Sequence, residues 1–421
     1  MKDHRQTVAF LHYSAPPVVG GVESVMLAHL RLFDEAGYST SIIAGRGSKD
    51  ALPVETDLID IPEVDSAHPA ILEISEQLEQ GKIPSTFETM VTYLEHSLAP
   101  ILSSSDVLIV HNVFTKHFNL PLTTALFRLL DREMIPCCVA WCHDASWASP
   151  RSRSKVFSGY PWDLLRTLRD DVTYVTVSQE RQAELSAMFE CPPEKVRVIY
   201  NGVDAAELLA LSEGGLHLIE RLGLWKSDLN LIMPVRVTKA KNIELGMRVV
   251  ASLRQRGVRT KLIVTGPPDP HDAASMEYFA GLQALRKELD VVEEVRFVYE
   301  SGRAHDAPFL IDMITVSELF RVSDALFMPS HREGFGMPVL EAGLLGMPVF
   351  SSEKVPAALE IGGQDIVQFS PEADANQIAD MISQCMRENP TLRLRRHVRQ
   401  QLTWQHIFQA QILPLIVRDS K

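Results

Sequence analysis

Short apolar runs alternating with amphipathic stretches, twice over, constrain this chain more than any other feature. Val8 to Leu11, Ser41 to Ala44, Val107 to Val110, Val139 to Trp141 and Val172 to Val177 are strand-like, with helical spacing between them. The alternation restarts at Leu231 to Met233 and continues through Lys261 to Thr265, Val295 to Tyr299, Ala325 to Met328 and Val349-Phe350. Strand and helix in alternation imply a parallel sheet covered on both faces, so the fold class is α/β. Two series predict two doubly wound, Rossmann-like domains, with the break between Asn201 and Asn230. In open parallel sheets ligands bind beyond the carboxyl ends of the strands, so two such domains facing each other would enclose a cleft, with the motifs at strand ends.

Size and charge remove several function classes. A chain of 421 residues with 46% hydrophobic and 23% charged residues has ordinary globular composition. A formal charge of -13 argues against a general nucleic-acid binder. No apolar run is long enough to span a bilayer, and Thr7 to Tyr13 is too short and polar-flanked for a signal peptide, so a cytoplasmic protein is expected. The five cysteines, Cys137, Cys138, Cys142, Cys191 and Cys385, lack the paired spacing of a zinc site and read as free thiols. The acidic stretch from Glu55 to Glu95 is expected to form solvated helices. There is no D-x-D sequence, the carboxylate pair by which many enzymes hold a divalent metal on a diphosphate, so for any such ligand no metal is expected and protein cations would supply the positive charge.

The segment from Ser330 to Gly343 sets two acids around a glycine turn that opens a helix. Gly334 and Gly336 allow a tight path, Pro338 suits the first helical position, and Glu341 is expected in the first turn. The free amides of Val339 and Leu340, at the positive end of the helix dipole, would meet a phosphate. Glu333 and Glu341 on either side would accept hydrogen bonds from hydroxyl groups, which a sugar and a ribose supply. Taken alone, the segment fits equally a solvated helix acid and an ordinary loop acid.

Other candidates fall at strand ends. Gly20-Gly21 opens a helix and could approach a phosphate, or simply turn the chain; Glu23 reads as a dipole partner. Arg236 and Lys241 follow the first strand of the second series and could stabilise a departing diphosphate, with Lys239 competing for the role and solvated surface cations as the alternative. His111-Asn112 and His143-Asp144 place imidazoles at successive strand ends, where His143 could bind a sugar hydroxyl without acid/base work. Trp147, Arg151, Arg153, Lys155, Tyr160 and Trp162 mix aromatics and cations. They suit an anionic acceptor, an anionic membrane surface, or a solvated basic loop. The turn from Ile199 to Asp204 contains Asn201 and Gly202, which suit a turn.

Together, Gly20-Gly21-Val22-Glu23, His143-Asp144, the 199–204 turn, Arg236 with Lys241-Asn242, and the E-x7-E of Glu333 and Glu341 resemble glycosyltransferase family 4. The resemblance implies the GT-B fold and a retaining reaction, with a sugar nucleotide held by the second domain and an acceptor by the first. It implies that Glu333 binds donor-sugar hydroxyls, Glu341 the ribose, and Arg236 and Lys241 the diphosphate. Gly21 would meet a donor phosphate, His143 the sugar's primary hydroxyl, and Gly334, Phe335, Gly336 and Met337 would line the sugar. Thr403-Trp404-Gln405 resembles the start of a C-terminal helix returning to the first domain. The expected division is therefore 1–205, 206–395, and a returning segment, 396–421. Lys241-Asn242 departs from the Lys-Gly of many relatives, and Pro267-Pro268 follows Gly266 where a more polar turn is common.

The expected activity is transfer of a hexose, from UDP-glucose or GDP-mannose, with no cofactor required. The acceptor expected is small, soluble and possibly anionic, such as a sugar acid or compatible-solute precursor. Candidate acceptor contacts are His111, Asn112, Asp144, Trp147, Arg151 and Tyr160. Transfer to a lipid or cell-envelope polysaccharide, with peripheral membrane contact, is the alternative. A sugar-nucleotide epimerase and a non-catalytic sugar-nucleotide binder are the readings from other classes. The sequence leaves the oligomeric state open.

Overall fold

A computed structural model describes residues 6–18, 20–302, 309 and 311–416. The chain divides into two compact units: one runs to Val203 and takes the chain back from Leu402, and the other is Asp204–Gln401.

The first unit holds β1 (Thr7–Leu11), β2 (Ser39–Ala44), β3 (Asp57–Asp60), β4 (Val107–His111), β5 (Cys138–Cys142), β6 (Val172–Thr176) and β7 (Val196–Val198). They form one parallel sheet in the order β3-β2-β1-β4-β5-β6-β7. β4 and β5 are buried at every residue, as strands covered on both faces must be. Ala9, Leu11, Leu108 and Val110 pack into one face of the core, and Val8, Phe10, Val107, Ile109 and Trp141 into the other.

The second unit holds β8 (Leu229–Met233), β9 (Thr260–Val264), β10 (Val295–Phe297), β11 (Ala325–Met328), β12 (Val349–Ser352) and β13 (Val367–Phe369). Its parallel order is β10-β9-β8-β11-β12-β13. Each sheet reverses its strand order once, between β1 and β4 and between β8 and β11. Those reversals are where a doubly wound sheet opens a crevice at the strand ends. The fold is α/β with two Rossmann-like units, the composition of a GT-B chain.

Four expectations need correction. The 55–95 stretch contains β3, and the Pro69–Leu78 and Phe87–Leu102 helices in and just beyond it bury Ile71, Ile74, Leu78, Phe87, Val91 and Leu94. Glu95 is itself buried, reached by Arg128 and Arg132. The expected strand through Tyr299 stops at Phe297, because Val298–Glu300 turns as a 3-10 helix, with Glu300 held by Arg286 at 2.7 Å. The break falls after Val203 rather than 205.

The return begins at Leu402 rather than 396, because the Pro390–Gln401 helix is tied into the second unit. Arg399 there donates to both oxygens of buried Asp324, at 2.7 and 2.8 Å, and to the Ser227 carbonyl at 3.1 Å. From Leu402 onward Trp404, Ile407, Phe408, Ile412 and Ile416 join the core beside Phe10 and Phe33. Gly202 permits this, since a Cβ there would lie 2.8 Å from the Trp404 ring. Residues 417–421 of the expected returning segment lie outside the described residues.

Candidate functional site

In the second unit the β8 and β11 ends meet. Lys241 Nζ lies 2.6 Å from Glu333 Oε1, which also accepts from Ser330 Oγ at 3.0 Å. Both bonds fall on one oxygen, so Glu333 Oε2 has no partner among the described residues and is left to accept from a ligand. Asn242 fixes the two loops together. It adopts φ 52, ψ 48, a left-handed conformation that Asn tolerates better than most residues, and its amide donates to the Pro329 and Pro371 carbonyls at 3.1 and 3.0 Å. His331 N donates to the Ala240 carbonyl at 2.8 Å. The departure from Lys-Gly therefore keeps the backbone path and adds a clamp.

The helix after Glu333 begins at Met337, with Gly336 as its cap at φ 105. A Cβ on Gly336 would sit 2.5 Å from Val355 Cγ1, so both conformation and space demand glycine. Two expectations change. Pro338 is the second helical residue, and Glu341 lies past the first turn, partly exposed. The Val339 amide is already bound to the Gly336 carbonyl at 3.0 Å, and helical geometry directs the Leu340 amide to the same oxygen. The backbone donors without a partner among the described residues are instead those of Gly334, Phe335, Gly336 and Met337, one turn earlier.

Arg236 is exposed and has no partner among the described residues. Its backbone is set by Gly266, where a Cβ would meet the Val235 carbonyl at 2.6 Å and Arg236 Cα at 2.8 Å. Arg236 and Lys239 line a cavity of about 830 Å³ together with Glu244, Pro267, Asp272 and Tyr278. Lys241, Glu333 and Glu341 do not line it. The structure thus joins Lys241 to Glu333 directly, while Arg236, which follows β8 as Lys241 does, faces the separate cavity.

In the first unit the ends of β1, β4 and β5 bring histidines together. His111 Nδ1 lies 3.1 Å from His143 Nε2, and His12 Nδ1 lies 3.0 Å from the His111 carbonyl. His12 and His29 were missed, although His12 follows β1 as His111 and His143 mark β4 and β5. Glu23, expected only to meet the helix dipole, accepts from Ser14 Oγ at 2.7 Å and folds over Gly20, where a Cβ would meet its Oε2 at 2.2 Å. Gly21 is exposed and open above.

His111 and Asn112 are 0% and 9% exposed, so neither can be a direct acceptor contact. Asn112, in a left-handed conformation, uses its side-chain oxygen to accept from the His143 amide at 2.9 Å, so both residues position His143 instead. Asp144 is held by buried Lys116 at 2.8 Å. The guanidinium groups of Arg153 and Arg166 each lie over the Trp147 ring, 4.5 and 4.2 Å from its centroid, and Tyr160 donates to Glu88 at 2.7 Å. These aromatics and cations satisfy one another within the unit. Arg151 remains exposed.

Burial keeps these imidazoles neutral. It lowers His29 to about 3, with a further push from His143, and His143 to about 4, with a further push from His12; His111 also lies well below its ordinary value. A histidine depressed in the folded state binds its proton only on unfolding, so its stabilisation is complete above about pH 6.5 and is lost as pH falls towards the folded value. Fully buried His29 and His111 should each cost at most about 1.4 kcal/mol per pH unit below 6.5, the limit for one proton. Urea unfolding at pH 7 and 5.5 checks this, and His29→Phe should flatten the slope.

Comparisons with known proteins agree with this division. Residues 19–207 match the model of "Glycosyltransferase Family 4" and residues 218–401 that of "Glycosyl transferases group 1". An uncharacterized glycosyltransferase of Methanocaldococcus jannaschii is 29% identical over 182 residues, 42% of this chain and 41% of that protein. A D-inositol 3-phosphate glycosyltransferase of Jonesia denitrificans is 27% identical over 252 residues, 57% of this chain and 56% of that one. The chain thus spans about half the length of these curated relatives or less. Among solved structures, Anabaena HepE with UDP and glucose aligns over 98% of this chain and 99% of that one, with a TM-score of 0.35 and 16% identity. With a family model on each unit, the two together taking in most of the sequence, this chain belongs to glycosyltransferase family 4.

Proposed function

We propose that the protein is a retaining glycosyltransferase that moves a hexose from a nucleoside diphosphate sugar to a hydroxyl of a small acceptor. The observation that carries this reading is the Lys241–Glu333 pair at the β8 and β11 ends, where one carboxylate oxygen and the nearby amides of Gly334 to Met337 have no partner among the described residues. Glu333 Oε2 accepts from donor-sugar hydroxyls, Glu341 from the ribose, and Lys241 with Arg236 stabilises the diphosphate as it leaves. The sugar-to-phosphate C–O bond breaks, a bond to the acceptor oxygen forms on the same face, and the acceptor proton passes to the departing phosphate oxygen. Negative charge is met by these cations, so no divalent metal takes part at the diphosphate. Glu333 positions and does not attack, unlike the nucleophile of a retaining hydrolase.

Support for the acceptor comes from the first unit and the relatives' names. His143 and exposed Arg151 remain available there, while Trp147 and Tyr160 are engaged internally. Relatives named D-inositol 3-phosphate glycosyltransferase favour a polyol or polyol phosphate over a lipid. Thermal-shift measurement across UDP-, GDP- and ADP-sugars tests the donor half: one should raise Tm, and Glu333→Gln should reduce the gain. A flat response to every sugar nucleotide would remove the reading. Polyol phosphates and sugar acids are then screened with the best donor for nucleotide release.

A further inference from the structure

We infer that His111 is a positioning residue that fixes the tautomer of His143, so that His143 meets its ligand only as a hydrogen-bond donor and not as a base. The two rings share a bond of 3.1 Å between His111 Nδ1 and His143 Nε2, and stack at 22° with centroids 5.4 Å apart. Both are neutral at pH 7, so one proton lies in that bond. If His143 donated it, the remaining proton of His111 would sit on Nε2. That atom is fully enclosed without a hydrogen-bond partner among the described residues, and a buried orphan N–H is rarer and costlier than an orphan lone pair. His111 therefore carries its proton on Nδ1 and donates it.

His143 Nε2 is then the acceptor, and its own proton is on Nδ1. That nitrogen has no partner among the described residues, and His143 is partly exposed. The arrangement is buttressed on two sides. A carbonyl only accepts, so His12 donates from Nδ1 to the His111 carbonyl at 3.0 Å, and Asn112 holds the His143 amide at 2.9 Å. His143 Nδ1–H selects an oxygen with a lone pair to offer: a sugar hydroxyl, carboxylate or phosphate. It cannot take the proton of an acceptor hydroxyl. The ligand part rests on the function proposed above; the tautomer does not.

Long-range proton–nitrogen NMR of the full chain labelled with [15N]histidine reads the tautomer directly, with His143 assigned by loss of its signals in His143→Asn. A pyrrole-type Nδ1 and a pyridine-type Nε2 in the wild type are expected, whether or not any sugar is transferred. The reverse pattern would overturn the inference, and that reading needs no activity from the variant used for assignment, only its fold. His111→Phe should erase the bias and lower kcat about tenfold, the loss of one hydrogen bond, with a smaller change in donor KM. His111→Asn, which returns an N–H near the Nδ1 position, should recover most of it. An unchanged kcat in His111→Phe with the bias gone would show that the tautomer serves no step.

Discussion

Lys241→Met is expected to lower turnover at saturating donor by about a hundred- to a thousandfold, the cost of removing one preorganised charge from a leaving group. The side chain keeps the unbranched stem and loses the terminal charge, so the loss should fall on kcat more than on KM. Lys241 is already oriented before any ligand arrives: Glu333 holds its ammonium at 2.6 Å, and the left-handed Asn242 beside it is clamped to two carbonyls. A cation placed in advance stabilises developing negative charge without reorganising during the reaction. Arg236→Ala should act in the same direction and less strongly, since nothing among the described residues fixes its guanidinium. Steady-state kinetics of the two variants check both statements. Near-normal turnover in Lys241→Met would remove it from the leaving-group role.

The second large effect concerns stability. Arg399→Met should destabilise the second unit by about 3–5 kcal/mol, because it strips the main partner from a buried carboxylate. Asp324 is 3% exposed and also accepts from the Asn230 amide at 2.7 Å, so its charge cannot turn to water. Arg395 lies 3.4 Å away and would soften the loss without replacing the two short bonds. Urea unfolding followed by far-UV circular dichroism measures the difference. Replacing Arg399 and Asp324 together by Met and Leu should cost less than either change alone, as expected when the penalty is an unpaired charge.

Much of this was legible in the chain. The central strands are apolar at nearly every position, and that run of Val, Ile and Leu marks them whatever lies around them. The edge strands gave weaker signals: Asp57–Asp60 carries an acid at each end and Val367–Phe369 is three residues long. Glu333, Lys241 and Arg236 were readable as strand-end groups because the reversal of a parallel sheet gathers such ends. Their pairing was not readable, since which loop touches which depends on Asn242 and on β8 lying beside β11. Glu341 was displaced from the first turn by one residue of helix start, set by the φ of Gly336. Trp147 and Tyr160 show the limit of composition: an aromatic and basic loop has the same letters whether it waits for a ligand or packs on itself. The histidines needed three neighbouring strands, β1, β4 and β5, before His111 could be seen to face inward.

The most direct test of the central claim is the chemistry of the product. The sugar nucleotide that raises Tm is incubated with the acceptor that releases nucleotide fastest, and the anomeric proton is followed by NMR. Free nucleoside diphosphate and a glycoside with the donor's own anomeric configuration are expected, formed by the wild type and at a hundredth of its rate or less by Lys241→Met. An inverted glycoside, or an isomerised sugar nucleotide with no transfer, would contradict it.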